Sequence, residues 1–542
     1  MNRCCIFILV FLLPVFSIAQ LLNPIIPAPV QFESGSTAPV ELNSNSTLYY
    51  DAAFKPQAGY LREQLLLQTG LALKLEQLPA AKTIPAAGIA MQFNNSLIDK
   101  AEMYQLKVSG KLILIRAKDT RGFVNAVQSL LQLLPLTKQT VINVPAVSIV
   151  DYPQFSYRGM HLDVVRHFFP LNYIKKYIDY LTFHKFNTFH WHLTDDQGWR
   201  FETTSYPALN TVASWRDSTL TGHFKAVPAR YDGARYGGYY TKAEIREVVN
   251  YAAVRGITII PELDIPGHSR AAMASYPALS TKPDTTWNVA TTWGMYNRQN
   301  NVLAPTAFTF TFLKNIFKEL AELFPSTYIH IGGDECSRLW WKQDSLSQQF
   351  IRRNHLKNET GLQTYFIEYV AKQLKLLNRK TVGWHEIAED DLDTSTLIMN
   401  WADDKQALAA AKKGFNIIMT PGKPFYFDNY QSKDPNDSLA IHGYNPLEAV
   451  YSYQVVPDAV QKAGLANKII GAQANVWTEY IATTTKVDYM IFPRMTALSE
   501  NLWSKKKNYP DFLIRLEQHM IPRYKSWNSS FFKAYRIWTK EK

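Results

Sequence analysis

From residue 157 onward the chain passes through eight short apolar segments, at 159–163, 188–193, 258–262, 328–332, 381–383, 397–401, 416–419 and 469–474. Each is too short for a core helix, and each stops at a cluster of polar residues. Helical stretches separate several of them, at 171–185, 242–255, 308–323, 361–377 and 405–413. Strand and helix alternating eight times over residues 151–505 predict an α/β fold, a parallel (β/α)8 TIM barrel. Long insertions follow the second and third strands. A last helix at 510–520, within a helical extension over 506–542, is expected to pack on the outside of the barrel. No internal repeat or low-complexity tract interrupts the pattern.

The stretch before the barrel reads differently. Residues 21–150 predict a small α/β domain, with strands at 88–93, 104–108 and 112–116 and helices at 58–68 and 122–133. The second helix carries Phe123, Ala126, Val127, Leu130, Leu131 and Leu134 at helical spacing. Pro145 and the Asp151-Tyr152-Pro153 turn close this domain. At the start, Met1-Asn2-Arg3 precedes an apolar run to Ile18 and then Ala19-Gln20, the form of a secretory signal peptide over 1–20. Its removal takes away Cys4 and Cys5 and leaves only Cys336, so no internal disulfide can form. An exported chain without disulfides fits a bacterial periplasm or exterior. No later segment is long and apolar enough to span a membrane.

Barrel enzymes carry their sites at the carboxyl ends of the strands. Here those ends read His161-Leu162-Asp163, His190 through Asp196, Glu262 through His268, His330 through Glu335, Trp384-His385-Glu386, Trp401, Tyr426-Phe427-Asp428 and Trp477-Thr478-Glu479. Carboxylates and aromatics dominate. There is no Gly-rich phosphate loop with Lys at a strand–helix turn and no Gly-x-Ser-x-Gly elbow. The formal charge of +12 raises the question of a polyanion partner, but the longest basic run is Lys505-Lys506-Lys507, so no nucleic-acid partner is expected. All 13 Trp fall at or after Trp191. Aromatic walls with carboxylates suit a sugar, and glycoside hydrolysis is the chemistry that two carboxyls support there. Asp334 and Glu335 are adjacent, however, and neighbours on one turn are badly placed to flank a ring from both sides. One carboxyl would protonate the leaving oxygen, and the other would support a nucleophile supplied by the substrate.

With those residues in view, the chain resembles the family 20 glycoside hydrolases, the β-N-acetylhexosaminidases. The resemblance rests on the run from Arg158 to Phe168, on His190 to Arg200, Pro266-Gly267-His268, His330 to Glu335 and Trp477-Thr478-Glu479, and it extends over the small domain before the barrel. It implies substrate-assisted catalysis. The 2-acetamido oxygen attacks the anomeric carbon and forms an oxazolinium ion. Glu335 would be the general acid and then the base, with a raised pKa expected of it. Asp334 would orient the acetamido N–H, and Tyr426 would hold the acetamido oxygen. Trp384, Trp401 and Trp477 would wall the pocket. Arg158 would bind the 3- and 4-hydroxyls, Asp428 and Glu479 the 4- and 6-hydroxyls, and Asp195 and His268 would tune the acid pair from behind.

The resemblance therefore implies an exo-acting, retaining enzyme without a cofactor or metal. It would release terminal β-linked N-acetylglucosamine, with N-acetylgalactosamine a second candidate, from an oligosaccharide or glycoconjugate. Two alternatives carry different expectations. One is a disaccharide-releasing member of the same family, against which Arg158 with Asp428 and Glu479 favours a single-sugar pocket. A metal-dependent hydrolase barrel would use His190, His192, His268, His330 and Asp334 as ligands and lose activity to a chelator. Oligomeric state is not legible in the sequence.

Overall fold

A computed structural model describes residues 22–79, 83–94, 100–389 and 392–537. The expected leader at 1–20 lies outside them. Among the described residues no helix is long and apolar enough to cross a membrane.

The first unit is a seven-stranded mixed sheet in the order Gln31–Ser34, Val147–Asp151, Tyr104–Ser109, Leu112–Ala117, Gly88–Phe93, Thr47–Tyr50 and Lys74–Gln77. The alternation in Leu112–Ala117 sends Ile113, Ile115 and Ala117 into a core of their own. Helices Lys55–Thr69 and Thr120–Leu133 pack on the sheet. The second is buried along nearly its whole length, because it lies between the sheet and the barrel helix Leu171–Phe183. The Asp119 side chain caps it by accepting from the Gly122 amide at 2.7 Å.

The second unit is a closed barrel of eight parallel strands in sequence order: Tyr157–Asp163, Thr188–His192, Thr258–Ile265, Tyr328–Gly332, Lys380–Trp384, Leu397–Asn400, Asn416–Met419 and Ile469–Ala474. The eight expected strands are the eight observed, shifted by a few residues at their ends. The insertion after the second strand departs furthest from a plain barrel. Between the second and third strands the chain forms three small two-stranded ribbons before helix Lys242–Val254 begins on a Thr241–Glu244 capping box.

Two features join the units. The lower end of the barrel carries Arg158, Lys185 and Asn187, all buried, and their partners lie on the first unit. Arg158 pairs with Glu102, and Asn187 Nδ2 donates to Glu102 Oε1 at 2.9 Å. Lys185 Nζ donates to Asp151 Oδ2 and to the Tyr104 hydroxyl, both at 2.9 Å. The carboxyl-terminal helices, Tyr509–Arg515 and Ile521–Ser526, are the second join. They were expected on the barrel's outside, and Tyr524 does stack on Phe492 there at 4.4 Å. They also reach the first unit, where Arg523 donates to the Leu131 carbonyl at 3.0 Å.

Candidate active site

The carboxyl ends of the strands surround a cavity of about 840 Å³, within the usual range for a small-molecule site. Its lining includes Asp334, Glu335, Trp401, Tyr426, Asp428, Trp477, Glu479, Asp195 and His268, nine of the eleven residues expected from the sequence. They come from six different strand ends, which only barrel closure brings together.

Gly332 and Gly333 let the fourth strand turn over the barrel mouth. Their φ values are +68° and +96°. A Cβ on Gly332 would sit 1.6 Å from Asp264 Oδ1, and one on Gly333 would sit 2.2 Å from Ile387 Cγ2. Glu335 itself has φ +42°, a left-handed conformation in a residue that rarely adopts it, and His268 has φ +47°. Two of the eight left-handed non-glycine residues among the described residues thus lie where the acid pair meets its histidine.

The two acids differ in surroundings. The Asp334 side chain is 15% exposed and that of Glu335 is 47% exposed. Burial raises the Asp334 pKa, the positive His268 opposes it, and Glu386 and Glu335 add to the rise, leaving it at about 7. Asp334 Oδ1, Asp428 Oδ1 and Glu479 Oε2 are buried oxygens without a hydrogen-bond partner in the protein. Burial and the neighbouring Glu479 hold Asp428 well above the carboxylate range, and burial lifts Glu479 as well. For Tyr426, burial and the charges of Asp428 and Asp334 push the hydroxyl well above its ordinary value, so it remains a donor.

Two expectations need correction. Arg158 is not in the cavity. It begins the first strand, so it lies at the opposite end of the barrel, where its guanidinium serves Glu102, the Lys185 and Phe155 carbonyls and the face of Trp503. The arginine of the site is Arg166, just past the end of the same strand. It donates from NH1 to Asp163 Oδ2 at 3.1 Å and from Nε to Gln197 Oε1 at 3.0 Å, and NH2 lies 2.7 Å from Asp195 Oδ2. Burial opposes its charge, but Asp195 and Asp163 outweigh burial and keep it protonated. Trp384 also lies outside the lining. It is buried one layer below, 5.9 Å from the Trp477 ring, and its Nε1 donates to Glu262. Asp264, which lines the cavity, and Glu262, which supports it, were not singled out from the sequence.

Among the described residues two groups bring three potential metal donors together, His161–His190–Glu262 and Asp195–Asp264–His268. The donor chemistry does not favour an ion in either. His161 Nδ1 accepts from the Val476 amide at 3.2 Å, which places the proton of the neutral ring on Nε2. His268 is held as an imidazolium: burial opposes the charge, but Asp195 and Asp264 outweigh it.

A barrel whose mouth gathers carboxylates, indoles, a guanidinium and a tyrosine, with its acid pair on adjacent residues, is that of a glycoside hydrolase. Residues 155–506 match the catalytic domain model of glycosyl hydrolase family 20, and residues 23–152 match domain 2 of the same family. The chain belongs to this family. A β-hexosaminidase of Porphyromonas gingivalis is 38% identical over 507 residues, covering 92% of this chain; the chain spans 63% of that relative's length. A β-N-acetylhexosaminidase of Cellulomonas fimi is 30% identical, covering 91% of this chain and 93% of its own. The crystal structure of a family 20 exo-β-N-acetylglucosaminidase from Vibrio harveyi, in complex with N-acetylglucosamine, superposes with a TM-score of 0.83 at 31% identity, covering 95% of this chain and 80% of that one.

Proposed function

We propose that this protein is an exo-acting, retaining β-N-acetylhexosaminidase that releases a terminal β-linked N-acetylhexosamine by substrate-assisted catalysis. The observation that carries the reading is the adjacent acid pair with its unequal burial. Glu335, the more exposed, donates its proton to the glycosidic oxygen. The acetamido carbonyl oxygen attacks C1 as the C1–O bond breaks and the alcohol departs. Asp334 accepts the acetamido N–H on its free Oδ1 and faces the positive charge of the oxazolinium ion. Tyr426 donates to the acetamido oxygen and aligns it. The Glu335 carboxylate then takes a proton from the water that attacks C1, the C1–O bond of the oxazolinium ring breaks to restore the acetamido group, and the configuration is retained.

Sugar recognition follows from the remaining groups. Asp428 and Glu479 offer free oxygens to hydroxyls at one end of the ring. Arg166 donates one N–H from each of its three nitrogens to the protein, which leaves two of its five N–H groups for the 3- and 4-hydroxyls. Trp401 and Trp477 supply apolar walls. The N-acetylglucosamine bound in the Vibrio harveyi relative supports a terminal N-acetylglucosamine as the sugar taken here. The arginine and charged leader, Met1-Asn2-Arg3 followed by an apolar run, support export to the periplasm or exterior, which cell fractionation of the tagged full chain tests.

The deciding assay compares an aryl β-N-acetylglucosaminide with the matching aryl β-glucoside. A preference of roughly 10³-fold or more is expected, because only the first carries its own nucleophile. Equal rates would rule out the acetamido mechanism. In Glu335→Gln, turnover should fall most for poor leaving groups; wild-type rates on those would remove Glu335 from its role.

A further inference from the structure

Glu262, on the third strand, is an acid with no exposed surface that takes no part in the reaction as described. Its Oε2 accepts from His192 Nδ1 at 2.5 Å, and its Oε1 accepts from Trp384 Nε1 at 2.9 Å. His190 Nε2 lies 3.1 Å from Oε2. His330 Nδ1 lies 3.0 Å from Oε1 but accepts from the Gly332 amide at 3.1 Å, so it packs against the carboxylate without donating to it. A carboxylate removed from water persists only when it is paired and hydrogen-bonded, and His192 and Trp384 supply a donor to each oxygen.

The contacts continue outward. His192 Nε2 lies 2.9 Å from Asp195 Oδ2, so both nitrogens of this ring face carboxylate oxygens. Such a ring donates from both sides and is an imidazolium. Burial works against that charge, but Glu262 and Asp195 prevail and raise its pKa to about 10. Asp195 Oδ1 lies 3.0 Å from His268 Nδ1, and His268 Nε2 reaches to 3.6 Å from Glu335 Oε2 and 3.9 Å from Asp334 Oδ2. Charges therefore alternate from the barrel core to its mouth: Glu262, His192, Asp195, His268, acid pair. Facing this row are Arg166 and Asp163 beside Asp195, Asp196 and Asp264 beside His268, and His161 beside His190.

We propose that Glu262 is a positioning residue for the acid pair. Acting through His192 and Asp195, it fixes the ring of His268 against Asp334 and Glu335. Its other oxygen holds the Trp384 indole behind the sugar cavity. The role rests on the reading of Asp334 and Glu335 given above. A carboxylate is required because an amide at this position could not accept from two N–H donors on separate oxygens.

Two single variants and their combination test it. Glu262→Gln removes the charge at the root of the row. His192→Asn keeps a donor toward Glu262 but cuts the link to Asp195. Each should lower kcat roughly 10–100-fold, the usual effect of such supporting groups, while KM changes by less than about threefold. The double variant should be no worse than the poorer single one, because both break the same row. Multiplicative losses, or a loss confined to KM, would overturn the proposal. Should Glu262→Gln fail to fold, His192→Asn alone still reads the kcat-against-KM split. Histidine ring nitrogen NMR at pH 8 needs no substrate and so separates this proposal from the assigned reaction. His192 and His268 should both give imidazolium signals in the wild type, and the His268 signal should move in each variant. An unchanged His268 signal would overturn the role of Glu262, whereas an inactive wild type with the expected signals would count against the reaction alone.

Discussion

Asp334 and Glu335 are consecutive in the chain but occupy different media, the first 15% exposed and set against the positive ring of His268, the second 47% exposed at the rim of the cavity. The division of labour follows from that difference. Stabilising a cation requires a charge shielded from water, and delivering a proton to a departing oxygen requires access to it.

The shielding has a thermodynamic cost. Asp334 has a pKa of about 7 in the folded chain, against 3.8 ordinarily. A raised carboxyl contributes stability that is fully present below its unfolded pKa and is lost as pH rises through the folded value. Asp334→Asn should therefore raise the melting temperature at pH 8, on the order of 2–4 °C, and by less than half as much at pH 5, while abolishing most turnover. A variant equally stabilised at both pH values would show that the carboxyl charge is not the cause.

The same group shapes the pH profile. In the free enzyme Asp334 gains a proton as pH falls through about 7, and the protonated form cannot face an oxazolinium ion. The acid limb of kcat/KM should appear there. The substrate's N–H favours the ionised form, so the acid limb of kcat should lie at lower pH. Coincident limbs in the two profiles would contradict this.

The two arginines at either end of the first strand should separate cleanly. Arg166→Lys loses the planar fork that serves Asp163, Gln197, Asp195 and the sugar together, and should cut kcat/KM on the order of 10²-fold. Arg158→Met removes the nearer of Glu102's two cations, leaving Arg121 at 3.6 Å, and should destabilise the fold by about 2–3 kcal/mol. Its kinetics, measured on the folded enzyme, should stay within about twofold of wild type. Steady-state kinetics with thermal melting on both variants decides the matter.

Gly332 and Gly110 share a positive φ, at +68° and +63°, but not surroundings. A Cβ at Gly110 meets nothing within 4 Å, whereas one at Gly332 would overlap Asp264. Gly110→Ala should cost only the local strain, about 1–2 kcal/mol, with full activity. Gly332→Ala should yield little soluble or active protein, because the overlap lies under the acid pair. Comparable activity in the two would mean that the fourth strand can shift freely.

Much of this was legible in the sequence. The barrel strands announced themselves as short apolar runs with polar ends, because each strand is buried on both faces and meets the cavity at one tip. Strand direction separates Arg158 from Arg166. Both stand in the same motif, but only Arg166 follows its strand, and sites lie at the carboxyl ends. Glu262 and Asp264 could also have been found, since they alternate on one face of the third strand and both point inward. Other features were not accessible. Trp384 and Trp477 look alike in sequence, and only the packing of one behind the other decides which lines the cavity. Glu102 and Arg158 are 56 positions apart on different units, and no local pattern encodes that encounter.

That encounter bears on how the enzyme can be taken apart. Arg158 and Lys185 are cations of the barrel, but the acids that neutralise them, Glu102 and Asp151, belong to the sheet that precedes it. A barrel cut free at its first strand would present two uncompensated charges on a face shaped for contact. The catalytic half is therefore not a portable module. Transplanting it into another scaffold, or shortening the protein to its chemistry, means carrying the small sheet along as its counter-ion.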